Sequence, residues 1–355
     1  MPVPVGMAAS RPSPPKSRLR WIKLRWIKRG VTLALLSVVL VVIGRQDGIE
    51  TLPARAASAD PGWLGLALLL PLVAVFAGVR RWQLLNDAEA RVSGHVRLGF
   101  KDLLRSFLQG RFVGVFTPST VGLDMYRLID VARRTGDRAA SARVIVAEKL
   151  YGLVALSLVT LVLLPFGIHR FFGTGGMLVA AGLGVGSLVG LFVLARPTVL
   201  LRFAPAALRP RLTRWAGALR SAPASPALVV RLLGLGVVSH AASSAVFVGT
   251  GLALGVSNPM ELLMVGNAIV IATLVPISVG GVGVREGTAV ALLAVVGVPA
   301  VDATLLALLG YVAIQPAALL GGLTMFARRS PAPEPQREPG RAAFVTSGGT
   351  LVAPL

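Results

Sequence analysis

Apolar runs separated by short basic loops dominate the chain. They cover residues 30–44, 62–79, 150–168, 173–195, 232–255, 262–284, 287–301 and 303–327. Most reach the roughly 20 residues that a helix needs to cross the hydrocarbon core. Three stretches depart from this pattern. Run 287–301 is short, and run 262–284 is interrupted by Pro276 and by Gly280, Gly281 and Gly283. The moderately apolar stretch 103–122 carries Arg105, Gln109 and Arg111, with Pro118 near its end. The pattern predicts an all-α polytopic membrane protein.

Composition supports this and removes other classes. Hydrophobic residues make up 54% of the 355 positions and charged residues 14%, where soluble chains carry about 25% charged. The net charge of +21 falls between apolar runs, so a nucleic-acid surface is not expected. With no cysteine and three scattered histidines (His95, His169, His240), no metal site, disulfide or cysteine nucleophile is expected. No cofactor is implied.

Loop charge orients the spans. Residues 80–111 hold seven Lys/Arg, 127–149 six, and 196–231 seven Arg without an acid. Basic loops stay cytoplasmic, which places both termini inside. Residues 1–29 read as a basic cytoplasmic tail, 30–327 as the membrane domain, and 328–355 as a Pro/Gly/Ala-rich disordered tail. Because 80–111 and 127–149 lie on one side, 103–122 must dip in and return or lie in the interface. Segments 262–284 and 287–301 likewise enter and leave on the outer side, or cross fully. Six spans with two re-entrant segments and an eight-span arrangement satisfy the charges equally.

The two broken stretches match. Pro118, Gly122 and Arg127 repeat as Pro276, Gly280 and Arg285, each 158 residues on, with Asp124 and Glu286 as neighbouring acids. Flanking spans of opposite direction make this the pattern of inverted repeats whose broken helices meet near a substrate site. Proline and glycine release backbone groups, which lipid tolerates only where protein or a watery cavity supplies partners. Freed helix N-termini and arginine forks suit a phosphate. The competing reading puts Arg127 and Arg285 at the membrane surface, paired locally with Asp124 and Glu286. Glu148 would balance an arginine of a broken element, or pair with Lys149 or Arg143. Asn267 and Gln315 are expected to bond across helices, and His240, among Ser239, Ser243 and Ser244, to act as helix–helix glue.

The stretch 276–287 (Pro-Ile-Ser-Val-Gly-Gly-Val-Gly-Val-Arg-Glu-Gly), Gly297-Val298 and Gly321-Gly322 resemble the lysylphosphatidylglycerol synthase transmembrane region, or flippase-like domain. Gly110-Arg111-Phe112, Pro118, Gly122-Leu123-Asp124, Arg127 and Glu148 extend the resemblance, although Gly122-Leu123 stands where the family often has two glycines. The resemblance implies a lipid-headgroup path lined by Arg127, Asp124, Arg285, Glu286 and Glu148. Pro118, Gly122, Pro276, Gly280, Gly281 and Gly283 would shape the broken helices. It further implies a lipid partner, an anionic phospholipid or polyprenyl phosphate, in the cytoplasmic membrane. Residues 328–355 leave no room for the aminoacyl-transferase or glycosyltransferase that some members carry, so a translocase and not an enzyme is expected. The alternatives are a scaffold for a separate cytoplasmic lipid-modifying enzyme and a membrane-embedded transferase.

Overall fold

The computed structural model describes residues 37, 41, 49–117, 121–167, 170–171, 173–195, 205–206, 209–210, 213, 225–275, 278 and 280–327. Among these it contains helices and no strand. A short helix α1 (Leu52–Ala57) precedes α2 (Pro61–Ser93), α3 (Phe100–Val115), α4 (Val121–Thr135), α5 (Arg138–Leu163) and α6 (Gly176–Ala195). Then follow α7 (Pro226–Ala253), α8 (Pro259–Leu274), α9 (Val284–Val295), α10 (Ala300–Ile314) and α11 (Pro316–Phe326).

Helix ends follow local chemistry more closely than they follow the apolar runs. The Asp60 carboxylate accepts from the amides of Gly62 and Trp63, Pro61 opens α2, and Gly94 at φ 74° closes it. Helix α2 therefore continues well beyond the apolar run 62–79, because residues 80–93 contain no glycine or proline. Asp137, whose side chain accepts from the Ala140 amide, starts α5 ahead of its run. Ser225 caps α7 in the same way, through the Leu228 amide.

Among the described residues, four stretches are long and apolar enough to cross a membrane: Pro61–Ser93, Arg138–Phe166, Pro226–Ala253 and Ala300–Phe326. The predicted first span, 30–44, lies almost wholly outside the described residues. The run 303–327 is not one continuous helix as expected. Pro316 has no amide to give Val312, which accepts instead from the Gln315 amide, and the helix divides into α10 and α11.

Two hydrophobic clusters form the interior. One gathers Val79, Trp82, Leu103, Phe107, Val144, Tyr151 and Leu232 from α2, α3, α5 and the start of α7. The other gathers Phe247, Leu262, Val265, Leu293, Val301 and Leu306 from the end of α7 with α8, α9 and α10. Leu68, Leu69, Leu72 and Phe76 of α2 point outward, as side chains facing lipid do. Small residues hold the helices close. A Cβ on Gly249 of α7 would lie 3.0 Å from that of Ala67 in α2. Asn267 donates to the Thr160 hydroxyl at 2.8 Å, the cross-helix bond expected of it, and the Ser239 hydroxyl donates across helices to the Ala74 carbonyl at 3.1 Å. Ser243 and Ser244 instead bond one turn back in their own helix.

Candidate functional site

Neither broken stretch contains a helix long enough to cross. Helices α3 and α4 have 16 and 15 residues, and α8 and α9 have 16 and 12. At 1.5 Å per residue, the longest measures about 24 Å, short of a core about 30 Å thick. Each pair packs as a hairpin.

In the first hairpin the arms approach closely at Gly110, where a Cβ would lie 3.0 Å from the Leu123 carbonyl oxygen. The Thr117 hydroxyl donates to the Gly114 carbonyl and accepts from the Gly122 amide, both at 3.1 Å, which fixes the turn. In the second, Gly280, Gly281 and Gly283 have φ of 65°, 77° and 84°, a region that side chains disfavour. The buried Glu286 carboxylate accepts from the Gly283 amide at 2.6 Å and caps α9. Pro118 and Pro276 lie outside the described residues.

The two hairpin tips meet. A Cβ on Gly280 would lie 3.8 Å from both the Val115 carbonyl oxygen and the Tyr311 hydroxyl. Beside this contact is a cavity of about 230 Å³, lined by Arg111, Gly114 and Leu123 from the first hairpin and Thr273, Gly280, Gly281 and Arg285 from the second. Tyr311 of α10 and Gln315 at the junction of α10 and α11 complete the wall, with the apolar Val115, Ile314 and Ala318. The Arg285 guanidinium lies 4.4 Å from the centre of the Tyr311 ring and donates from Nη2 to the Gly280 carbonyl at 3.0 Å. Among the described residues its Nη1 has no hydrogen-bond partner, and it stands 3.8 Å from Glu286 Oε1. Arg111 makes no hydrogen bond or ion pair among the described residues.

The matching arginine of the first hairpin sits elsewhere. Arg127, only 2% exposed, lies 4.0 Å from the Trp82 ring centre and 5.2 Å from that of Phe107. It donates to Glu148, whose other oxygen accepts from Arg81 at 3.3 Å. Asp124 is 3.7 Å from Arg127 and 2.8 Å from Lys149, while Arg143 pairs with Glu89. The residues expected along one path thus fall into two groups: Arg285 and Glu286 at the cavity, and Arg127, Asp124 and Glu148 in an ionic network where α2, α4 and α5 meet. Arg285 is also buried, at 6% exposure, and each arginine has its local acid nearby, so burial and local pairing occur together.

Sequence reasoning did not select Arg111, Arg81 or Tyr311, nor a ligand-facing Gln315. Gln315 makes no side-chain bond across helices among the described residues and faces the cavity instead. Pro316, in the middle of an apolar run, was the available signal for that break.

A family model described as "Lysylphosphatidylglycerol synthase TM region" matches residues 30–321. The chain belongs to this family. The match takes in both hairpins and the cavity between them, and it ends within α11. No curated protein and no solved structure matches the chain. As a member of the lysylphosphatidylglycerol synthase transmembrane-region family, it is a multi-pass helical membrane protein, consistent with a lipid-related role.

Proposed function

We propose that this protein binds the headgroup of a membrane lipid at the cavity between the hairpins and moves that lipid across the cytoplasmic membrane. The observation that carries the reading is the approximately 230 Å³ cavity with Arg285 in its wall, at the meeting point of two hairpins too short to cross. A guanidinium inside a membrane protein costs about 2.5–3.5 kcal/mol on insertion scales, so its retention asks for a ligand or partner. Here its Nη1 is a buried donor without an acceptor among the described residues. The hairpins act as opposed elements of an inverted repeat, and rocking of one half against the other exposes the cavity to alternate leaflets. Both termini lie in the cytoplasm, as the basic loops require. The role is transport without covalent chemistry. The chain contains no Gly-x4-Gly-Lys-Ser/Thr phosphate loop, in keeping with movement that is downhill or ion-coupled.

The test is reconstitution into vesicles containing a trace of acyl-labelled phosphatidylglycerol, with dithionite used to bleach the outer leaflet. Wild type should bring nearly all the label within reach of dithionite, and Arg285→Ala should slow this severalfold or more. Bleaching that stops at one half, as in protein-free vesicles, would sink the reading.

A further inference from the structure

We infer that the headgroup accepted at this cavity is a phosphate carrying net negative charge, and that zwitterionic and aminoacylated headgroups are rejected. The inference rests on the lipid-binding reading above and narrows it.

The charges on the cavity wall decide the matter. Arg111 and Arg285 line it, and every other lining side chain is uncharged. Glu286, the acid next in sequence to the lining Arg285, is 1% exposed and not among the lining residues, with one oxygen on the Gly283 amide at 2.6 Å. Among the described residues its other oxygen has no hydrogen-bond donor and stands 3.8 Å from Arg285, so it offsets Arg285 in part, and no described acid pairs with Arg111. Asp124, adjacent in sequence to the lining Leu123, does not itself line the cavity; its Oδ2 pairs with Lys149 at 2.8 Å and its Oδ1 stands 3.7 Å from Arg127. Residues 118–120, 276, 277 and 279, outside the described set, are all uncharged in the sequence.

A cavity with two guanidiniums and no carboxylate attracts a phosphate through charge-assisted bonds. It also repels an ammonium, because like charges interact strongly where the dielectric is low. Phosphatidylethanolamine would bring one ammonium into that field, and a lysyl ester of phosphatidylglycerol would bring two. Neither would find an acceptor among the lining side chains other than neutral oxygens of Thr273, Tyr311 and Gln315. Volume points the same way. At about 230 Å³ the space is smaller than the roughly 300 Å³ where pockets for drug-sized ligands begin. It suits a phosphate with a small substituent, the acyl or prenyl chains remaining outside.

The experiment is a competition read by native mass spectrometry. Purified protein is offered equal amounts of phosphatidylglycerol, undecaprenyl phosphate, phosphatidylethanolamine and lysyl-phosphatidylglycerol. Wild type should retain the two anionic lipids at least about tenfold over the other two, the value of one hydrogen bond to a charged group. Arg111→Gln and Arg285→Gln should each reduce that preference severalfold. Arg111→Lys should keep it, because it keeps the charge, so a folding failure of Arg285→Gln leaves the test intact. Equal retention of all four lipids, or preference for the lysyl lipid, overturns the inference. So does tight retention of inorganic phosphate offered alone, which would make this a site for a soluble anion. Selective retention without transport in vesicles would leave the inference standing and remove the translocation reading. Equal transport of every headgroup would do the reverse.

Discussion

Glu148 divides its two oxygens between Arg127 and Arg81, so one buried carboxylate serves two buried cations. Removing its charge strands both. Glu148→Gln should cost about 3–5 kcal/mol, as other broken buried pairs do, and should be read as a large drop in thermal stability in detergent. Glycines make room for this arrangement: a Cβ on Gly236 would come within 2.9 Å of Arg81 Nη1, and one on Gly152 within 3.4 Å of Nη2. Outside the membrane-spanning stretches, Asp137 is a smaller case. The Ala140 amide holds its carboxyl below the ordinary value of 3.8. A carboxyl depressed in the folded state stabilises above its unfolded value and loses that contribution as pH falls through the folded value. Protection of the Ala140 amide against hydrogen exchange should therefore weaken below about pH 3.8. Asp137→Ala should remove it at every pH, at a cost of about 1 kcal/mol.

Among the elements, the two hairpins were legible because proline and glycine mark where a membrane helix stops, whatever surrounds it. What each hairpin carries was less legible. Arg127 and Arg285 occupy matching positions, yet one is enclosed by Trp82, Phe107 and Glu148 and the other faces a cavity. Glu148, 21 residues on in the next helix, was within reach of sequence reasoning, but Trp82 and Phe107 come from α2 and α3, and no local pattern encodes their closing around Arg127. Arg111, visible in the sequence as one of several polar residues of 103–122, was not singled out as a site residue, because which side of α3 faces inward depends on how α4 and α11 pack against it. Helix α11 packs there through Gly321, where a Cβ would lie 1.9 Å from the Leu108 carbonyl oxygen. Gly321→Ala must push the two backbones apart and should destabilise by about 1–3 kcal/mol, measured as a lower unfolding midpoint. Gly281→Ala meets both a left-handed φ of 77° and Arg285 Nη2 at 3.0 Å. It should cost about 1–2 kcal/mol and weaken lipid retention more than Gly321→Ala does.

At the scale of the whole molecule, two hydrophobic cores lie side by side, one largely from α2, α3 and α5, the other from α8, α9 and α10. Polar contacts also join early and late parts of the chain. Arg55 of α1 grips Asp302 of α10 at 2.9 and 2.6 Å, and Arg170 pairs with Glu261 of α8. A chain with no native cysteine allows the meeting of the hairpin tips to be tested directly. Val115→Cys with Gly280→Cys should link through a short bifunctional thiol reagent, and the linked protein should stop moving lipid. Failure to link would place the tips apart. Pro316 falls where the last helix passes from one core to the other: Leu305 and Leu306 belong to the second and Ala317 to the first. A swing of α11 relative to α10 would break no bond from residue 316, since proline has no N–H to give. Gln315, at that joint, also lines the cavity, so the same swing would reshape the cavity wall, and the last helix would then serve as a hinge whose pin is part of the proposed site.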